Sequence, residues 1–264
     1  MKLKFIGAAV LTALTATATM AQETIVRMGT EGYYPPFNYF DSAGQIKGFD
    51  IDVGNALCKQ MQVKCEWVTT DWDGIIPALN ANKFDTIIAS MSNTEERSKV
   101  VSFSKPYYYN AARFIATKDS NLKGIKPEDL KGMVFGTQSG TGEVAVIEQY
   151  YPDNELKLYP KLDDALLDLE TGRVEVVLAS QFVLADWLEN DKSNCCEFIG
   201  TSFIEDNNRG TGIAVRQSDT KLLGALDKAI DEIMTNGTYE EIRAEYFDFE
   251  ILSRPVGTSE LFGK

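Results

Sequence analysis

Hydrophobic and polar positions change their spacing repeatedly along the chain, and these changes predict alternating strands and helices. Apolar residues alternate or run together over 24–30 and 174–179, which is typical of strands. Over 50–61 and 162–169 they recur every three or four positions, which is typical of helices with one buried face. The succession occurs before and after about residue 109. Strands that alternate with helices predict α/β units whose mainly parallel sheets are covered on both faces.

The first 21 residues differ from the rest of the chain. Lys2 and Lys4 form a basic start, an apolar stretch follows over 5–14, and small residues end the segment at Ala21. This order predicts a secretory signal peptide that is cleaved after Ala21. No later stretch has the roughly 20 consecutive apolar residues of a membrane-spanning helix. We therefore expect a soluble, exported protein.

Composition narrows the possible chemistry. The formal net charge is −13, and without Lys2 and Lys4 the chain keeps 24 basic and 39 acidic residues. Such a surface is a poor partner for nucleic acid. The chain has no histidine, which removes His-based catalytic triads and the commonest transition-metal ligand. We expect neither a metal site nor another cofactor.

The four cysteines all follow the expected signal peptide. Cys58 and Cys65 are seven positions apart, and in an oxidising compartment a disulfide between them is favoured. Cys195 and Cys196 are adjacent, and they could form a strained vicinal disulfide, pair elsewhere or stay reduced. Neither pair has the Cys-x-x-Cys spacing of zinc sites.

The stretch 85–97 begins as a buried strand and continues with polar groups that suit a carboxylate. Ser90 and Ser92 follow the apolar run, and Thr94 is placed to cap a short helix that contains Arg97. A guanidinium can meet a carboxylate with two parallel hydrogen bonds. These residues predict a carboxylate site, although they also fit a strand, a turn and a solvated arginine.

A second stretch with free main-chain donors is Ser-Gly-Thr-Gly at 139–142, which precedes a predicted helix. The N–H groups at a helix start can bind an anion, so they could complete the carboxylate site. No Gly-Lys-Ser/Thr follows, so the stretch is not a phosphate-binding P-loop. The alternative is a plain strand–helix turn with Thr141 as its cap.

Two further residues suit a cationic group. Glu31 lies beside Tyr33, Tyr34 and two prolines, where an acid could hold a positive ligand head or could simply be exposed in a turn. Trp72 lies between two aspartates, and its indole could stack on an alkyl-ammonium or guanidinium group or pack in the core. Together with the carboxylate site, these residues predict recognition of a linear cationic amino acid.

Several of these residues directly follow predicted strands or lie in the turns after them. In open α/β sheets ligands bind outside the carboxyl ends of the strands, which favours a shared site. The residues in such positions are Glu31, Trp72, Ser90, Gly140 and Ser180.

Five sequence blocks carry a family resemblance. They are Gly48–Val53, Trp72–Pro77, Ser90–Arg97, Ser139–Gly142 and Gly237–Glu240. With these blocks in order, the chain from Ile25 to about Phe249 resembles the periplasmic solute-binding proteins, family 3, of polar amino-acid ABC importers. Its likeness is to the lysine/arginine/ornithine, histidine and opine binders.

The resemblance implies the type II periplasmic-binding-protein fold, with two α/β lobes, mainly parallel sheets, helices on both sheet faces and two hinge strands. Lobe 1 would comprise residues 22–109 and 207–264, and lobe 2 residues 110–206. The resemblance also matches the Cys58–Cys65 disulfide. By pattern alone, Asp50 or Asp52 is expected to cap the first helix, and the tail after Ser253 is expected to be loose.

The resemblance also implies roles for individual residues. Arg97 and Thr141 would hold the ligand α-carboxylate with help from Ser92, and Ser90 and Ser92 would lie near the α-amino group. An acid and aromatic walls would hold the side chain of the ligand. The complete expected set is Glu31, Tyr34, Trp72, Ala89, Ser90, Ser92, Arg97, Gln138, Thr141 and Ser180.

One position departs from the family pattern. Where relatives usually place an aspartate that pairs with the α-ammonium, this chain has Ser180, which brings no charge. A charged hydrogen bond contributes about 1.5–3 kcal/mol and a neutral one about 0.5–1.5 kcal/mol. Opine binders also tend to lack this aspartate, so an opine or another N-substituted amino acid remains an alternative ligand.

The expected function is therefore a periplasmic, monomeric binding protein that delivers a cationic amino acid or a derivative to an inner-membrane ABC permease. It would not be an enzyme. One alternative is a periplasmic dehydratase of cyclohexadienyl substrates, for which Glu143 would be the general acid. A second alternative is a sensory receptor that signals to a membrane partner.

Overall fold

The computed structural model describes residues 24–190 and 194–263. The expected signal peptide, residues 1–21, lies outside the described residues. The strands are β1 (Ile25–Thr30), β2 (Tyr33–Tyr34), β3 (Asn38–Phe40), β4 (Ile46–Lys47), β5 (Lys64–Thr69), β6 (Thr86–Ile87), β7 (Ser102–Phe103), β8 (Ala112–Thr117), β9 (Phe135–Gln138), β10 (Leu156–Tyr159), β11 (Val176–Ser180), β12 (Cys196–Phe203) and β13 (Ala214–Val215). The α-helices are α1 (Phe49–Met61), α2 (Ile75–Asn80), α3 (Glu95–Ser98), α4 (Gly142–Tyr150), α5 (Leu162–Glu170), α6 (Gln181–Asn190), α7 (Thr220–Thr235), α8 (Thr238–Tyr246) and α9 (Thr258–Phe262).

The strands form two large sheets and one small one. The first large sheet has the order β5-β1-β6-β13-β7, the second has the order β10-β9-β11-β8-β12, and β2-β3-β4 form the small sheet. In the first sheet β1 is parallel to β5 and β6, and in the second β9 is parallel to β10 and β11. The α/β class expected from the spacing of apolar residues is confirmed.

Each large sheet also contains antiparallel pairs around one strand. These strands are β13 in the first sheet and β8 in the second. The chain enters the second sheet at β8 after leaving the first, and returns to the first sheet at β13 after leaving the second. Each of these strands therefore runs in the direction opposite to its neighbours. The sheets are therefore mixed, with parallel pairs on one side and antiparallel pairs on the other.

Two connecting segments, 104–111 and 204–213, join the sheets and pair with each other. The N–H of Tyr107 donates to the carbonyl of Thr211 at 2.9 Å, and the N–H of Thr211 donates to the carbonyl of Tyr108 at 2.9 Å. These paired segments correspond to the two expected hinge strands.

Aromatic side chains form the core beside these connections. Phe37, Phe49, Tyr107 and Tyr108 are fully buried, and the rings of Phe37 and Tyr108 stack with their centroids 5.1 Å apart. Burial of such large side chains contributes about 1.5–3 kcal/mol each. The core therefore anchors the connecting segment 104–111 through Tyr107 and Tyr108.

The expectation that Asp50 or Asp52 caps α1 is wrong. The N-cap is Gly48, with φ at 123°. This position requires glycine, because an added Cβ would lie 2.2 Å from the carbonyl oxygen of Phe37. Asp50 is instead fully buried, and its carboxylate accepts a hydrogen bond from Tyr107 Oη at 2.6 Å. It also accepts bonds from Asn38 and Ser90, so it joins the helix to the core.

The tail after Ser253 is not loose. Helix α9 packs on the second sheet's core, where Phe262 stacks on Tyr150 with the ring centroids 4.4 Å apart. Asp206 accepts hydrogen bonds from the Thr258 hydroxyl at 3.1 Å and from the Ser259 N–H at 2.9 Å. Pro and Gly in the tail indicated a loop. The apolar face of α9 instead packs against residues that are distant in sequence, which the local pattern does not reveal.

Both cysteine pairs are disulfides. Cys58 joins Cys65, with the Cα atoms 5.8 Å apart, so the favoured pairing is confirmed. Cys195 joins Cys196, which selects the vicinal disulfide among the three alternatives. In the part of the chain that the structure describes, no helix has both the length and the apolar character needed to cross a membrane.

Candidate ligand-binding site

A cavity lies where the strand ends of the two large sheets face each other. Nine of the ten expected site residues line it; Ser180 does not. Asn110, Gly142 and Glu143 line it in addition. The complete lining is Glu31, Tyr34, Trp72, Ala89, Ser90, Ser92, Arg97, Asn110, Gln138, Thr141, Gly142 and Glu143.

Arg97 is held in place mainly by the main chain. Thr94 caps α3, as expected, and its hydroxyl accepts a hydrogen bond from the Arg97 N–H at 3.3 Å. The guanidinium donates to the carbonyls of Ser92 and Gly140, both at 3.0 Å, and its carbon lies 5.2 Å from the Trp72 ring centroid. Burial lowers the pKa of Arg97, but an arginine stays charged in proteins.

The turn after β9 reaches residues that follow strands of the first sheet. The carbonyl of Gly140 accepts a hydrogen bond from Trp72 Nε1 at 3.3 Å, besides the one from Arg97. The Ser139 hydroxyl donates to the Asp73 carboxylate at 2.9 Å. Gly140 has φ at 66°, and an added Cβ would lie 3.1 Å from Asp73 Oδ1. These contacts bring the two halves together over the cavity.

Glu31 is a buried acid rather than an exposed turn residue. It follows β1, is 5% exposed, and accepts a hydrogen bond from Gln138 Nε2 at 2.7 Å. Gln138 also donates to the carbonyl of Pro160 at 3.1 Å, which fixes the amide. Burial raises the pKa of Glu31 to about 7, because the Gln138 hydrogen bond and the charge of Lys161 compensate only part of the lost hydration.

Ser90 occupies an unusual backbone conformation. Its φ is 54°, in the left-handed region that side chains rarely adopt. The Ser90 hydroxyl donates to the buried Asp50 carboxylate at 3.0 Å, so the core network holds this residue in place. Strained residues of this kind cluster at ligand sites.

Thr141 is the N-cap residue of α4, but its side chain makes no capping bond. Its hydroxyl donates to the carbonyl of Gln138 at 2.8 Å. The next residue, Gly142, lies against Glu205, since an added Cβ would be 2.1 Å from Glu205 Oε1. The start of α4 lines the cavity through Thr141, Gly142 and Glu143.

Ser180 is fully buried because β11 extends to it and pairs it with Ala112. Its hydroxyl donates to Asn110 Oδ1 at 2.5 Å. Asn110 and Ser180 both interact with the Tyr34 hydroxyl, and burial raises the pKa of Tyr34. Ser180 thus lies behind the wall that Tyr34 and Asn110 form.

Glu143, considered from the sequence only as a general acid, lies in the first turn of α4 and lines the cavity. Burial raises the pKa of Glu143 to about 7, and the nearby Glu205 acts in the same direction. Thr141 and Arg97 act against this rise. Its position directly after the helix-opening turn at 139–142 is the signal that could have identified it. Gly142 belongs to the 139–142 stretch that the sequence singled out, whereas Asn110 had no comparable signal.

Metal binding has no support in residues 24–190 and 194–263. No group of three His, Cys, Asp or Glu side chains there is arranged to hold a metal ion. The side chains that line the cavity supply one guanidinium, two carboxyl groups, hydroxyls, amides and aromatic rings.

Known proteins resemble this chain over most of its length. Residues 26–249 match the family model of bacterial extracellular solute-binding proteins, family 3. The chain is 38% identical over 255 residues to the L-arginine-binding protein of Pseudomonas aeruginosa, which covers 95% of this chain and 98% of that protein. It is 31% identical over 292 residues of alignment to the octopine-binding periplasmic protein of Rhizobium meliloti, with 95% and 99% covered. Among solved structures, an ancestral arginine-binding protein bound to arginine is similar with a TM-score of 0.80 and 33% identity, over 85% of this chain and 99% of that chain.

The fold and the cavity define a solute-binding protein of the two-lobed α/β class, and the type II fold expected from the sequence is confirmed. The chain belongs to the bacterial extracellular solute-binding proteins, family 3. Its relatives are solute-binding proteins of amino-acid transport, as the resemblance implied.

Proposed function

We propose that this protein is the periplasmic component of an ABC importer and that it binds a cationic amino acid such as arginine, lysine, ornithine or histidine. The observation that carries the proposal is the presence of Arg97 and the buried Glu31 in one cavity. A guanidinium suits the α-carboxylate, and an enclosed acid suits a positive side-chain head. The arginine-binding relative supports this choice of ligand.

The two charged groups have separate surroundings. The pKa of Arg97 is affected by Glu143, Glu205 and Tyr34, whereas that of Glu31 is affected by groups such as Gln138 and Lys161. Each charge is thus left to pair with a different part of a ligand. A molecule with a carboxylate and a cationic head several bonds apart fits both.

Ligand capture would close two lobes, residues 22–109 with 207–264 and residues 110–206, about the connecting segments. Contacts between Arg97 and Gly140, and between Glu31 and Gln138, join residues of the two proposed lobes. A ligand that touches both lobes favours the closed state. The closed monomer would then deliver its ligand to an inner-membrane permease after removal of residues 1–21.

Isothermal titration with arginine, lysine, ornithine, histidine and octopine tests the proposal. We expect saturable, one-to-one binding of at least one of the four cationic amino acids. A thermal-shift screen provides an independent readout, because a ligand at a hundredfold excess over its Kd stabilises the native state by about 2.7 kcal/mol. Absence of binding by all four would contradict the assignment.

A second candidate function is dehydration of a cyclohexadienyl substrate. It is favoured by one observation, the partly enclosed Glu143 carboxyl whose pKa is raised to about 7, since a general acid must be protonated near neutral pH. Arg97 would hold the substrate carboxylate. Incubation with prephenate or arogenate and an assay of the aromatic product tests it, and Glu143→Gln should abolish any turnover.

A further inference from the structure

The cavity contains more negative than positive charge when its acids are ionised. Its charged lining residues are Arg97, Glu31 and Glu143. In the described chain, the hydrogen bonds of the Arg97 guanidinium go to main-chain carbonyls, so neither acid neutralises it directly. The complementary ligand therefore carries one net positive charge, with two cationic groups and one carboxylate.

Glu143 and Glu31 face different parts of the enclosed space. Glu143 also lines a smaller cavity, together with Tyr34, Thr137, Gln138, Thr141, Leu162 and Ala179. Ala179 is the residue before Ser180, so Glu143 looks toward the end of β11. The Ser180 hydroxyl there is occupied by Asn110. Glu143 thus supplies a carboxylate on the side of the cavity where β11 itself offers none.

Glu205 increases the need for a cation at this position. It lies against Gly142, directly before Glu143, and its charge raises the pKa of Glu143. Glu205 belongs to the connecting segment 204–213, and its carboxylate accepts a hydrogen bond from Asn208 Nδ2 at 3.0 Å. A ligand ammonium beside Glu143 would relieve the repulsion between these two acids.

We infer that Glu143 binds the α-ammonium of the ligand and thereby selects amino acids with a free α-amine over N-carboxyalkyl derivatives such as opines. This rests on the proposed function. Arg97 takes the carboxylate, Glu143 the amine and Glu31 the side-chain head. An opine places a second carboxylate next to the amine, where it meets Glu143 and Glu205. The lack of an acid at position 180 therefore does not indicate an opine ligand.

The test compares two ligands in two variants by isothermal titration at pH 8, where the acids are ionised. The ligands are L-arginine and 5-guanidinovaleric acid, which lacks only the α-amine. Glu143→Gln should weaken arginine binding by about tenfold or more, because a charged hydrogen bond becomes neutral, and should change binding of the desamino acid by less than about threefold. Glu31→Gln should weaken both ligands equally, since both keep the guanidinium.

Glu148→Gln, on the exposed face of the same helix, is the matched control and should leave both affinities unchanged. Equal weakening of both ligands by Glu143→Gln would overturn the role of Glu143 and leave the proposed function intact. Tighter binding of octopine than of arginine by the wild-type protein would also overturn it. If the wild-type protein binds none of the four cationic amino acids, the proposed function and this inference both fail.

Discussion

The cavity holds its positive and its negative charge by different means. The guanidinium of Arg97 donates to two main-chain carbonyls at 3.0 Å and lies over the Trp72 ring. The carboxyl of Glu31 has one side-chain partner, Gln138 at 2.7 Å, and is otherwise enclosed. Carbonyl groups do not titrate, so the hydrogen-bond partners of Arg97 stay the same with pH, although the nearby Glu143 titrates. The charge of Glu31 does change with pH, because burial raises the pKa of its carboxyl to about 7.

The difference shows two ways to prepare a site for a charged ligand. At Arg97, whose pKa burial also lowers, two main-chain carbonyls hold the guanidinium before the ligand arrives and leave its remaining N–H groups for a carboxylate. At Glu31 desolvation destabilises the ion, so a cationic ligand brings the missing compensation. We therefore expect removal of Arg97 to weaken binding at every pH, and removal of Glu31 to weaken binding of cationic ligands mainly above pH 7, where Glu31 is ionised.

The largest expected effect is that of Arg97→Ala. Loss of two charged hydrogen bonds to the ligand carboxylate should weaken arginine binding by about 3–5 kcal/mol, roughly a hundredfold to several thousandfold. Arg97→Lys should recover only part of this, since an ammonium lacks the planar fork. Titration calorimetry measures the affinities. Lys99→Ala, exposed near the same helix end, is the control, and unchanged affinity in Arg97→Ala would contradict the carboxylate role.

Glu31→Gln should remove the preference for a charged ligand head. The wild-type protein should bind arginine more tightly than citrulline, its neutral isostere, by about tenfold or more at pH 8, and the variant should bind both alike. Below about pH 6 the wild-type affinity for arginine should fall by about tenfold per pH unit from Glu31 alone, because protonation removes the charge. Titrations at pH 5.5, 6.5 and 8 measure both effects. A preference for arginine that survives in the variant would place the head elsewhere.

The same substitution should change the pH dependence of stability without ligand. The folded-state pKa of Glu31 is raised from 4.5 to about 7, so the folded protein binds a proton that the unfolded chain releases between these pH values. The contribution of this group is present below about pH 4.5 and is lost as pH rises to about 7, at about 1.4 kcal/mol per unit or about 3 kcal/mol in all.

Denaturant unfolding at pH 5 and pH 7.5 measures this change. Because other carboxyls titrate in the opposite direction, the decisive quantity is the difference between the wild-type protein and Glu31→Gln. The wild-type protein should lose stability relative to the variant as pH rises. A constant difference would show that Glu31 is already ionised at pH 5.

Sequence patterns could predict the parts of the site that depend on local chemistry. Thr94 as the cap of α3 and Arg97 at the cavity followed from residue order within one stretch. The apolar strands β1 and β11 followed from their spacing. The family resemblance added that residues as distant as Glu31 and Gln138 would share one site.

Features that depend on distant partners could not be predicted. Asp50 appeared to be a helix cap, but Tyr107, Asn38 and Ser90, contributed by three other segments, make it a buried anchor. Ser180 appeared to follow a strand, yet β11 continues through it, and Asn110 from a connecting segment takes its hydroxyl. In both cases long-range pairing overrode what the neighbouring residues favoured.

The smallest expected effect separates backbone strain from the geometry of the Arg97 site. Gly140→Ala and Gly132→Ala both place a side chain at positive φ, 66° and 82°, and each should lose about 1 kcal/mol of unfolding free energy. At Gly132 an added Cβ has nothing within 4 Å, whereas at Gly140 it lies 3.1 Å from Asp73 and would shift the carbonyl that binds Arg97. Gly140→Ala should therefore also weaken arginine binding, by about three- to tenfold, while Gly132→Ala should leave it unchanged.

Thermal unfolding measures the stability of the two variants, and titration calorimetry measures their affinity for arginine. Equal affinities would show that the Gly140 carbonyl does not position the guanidinium.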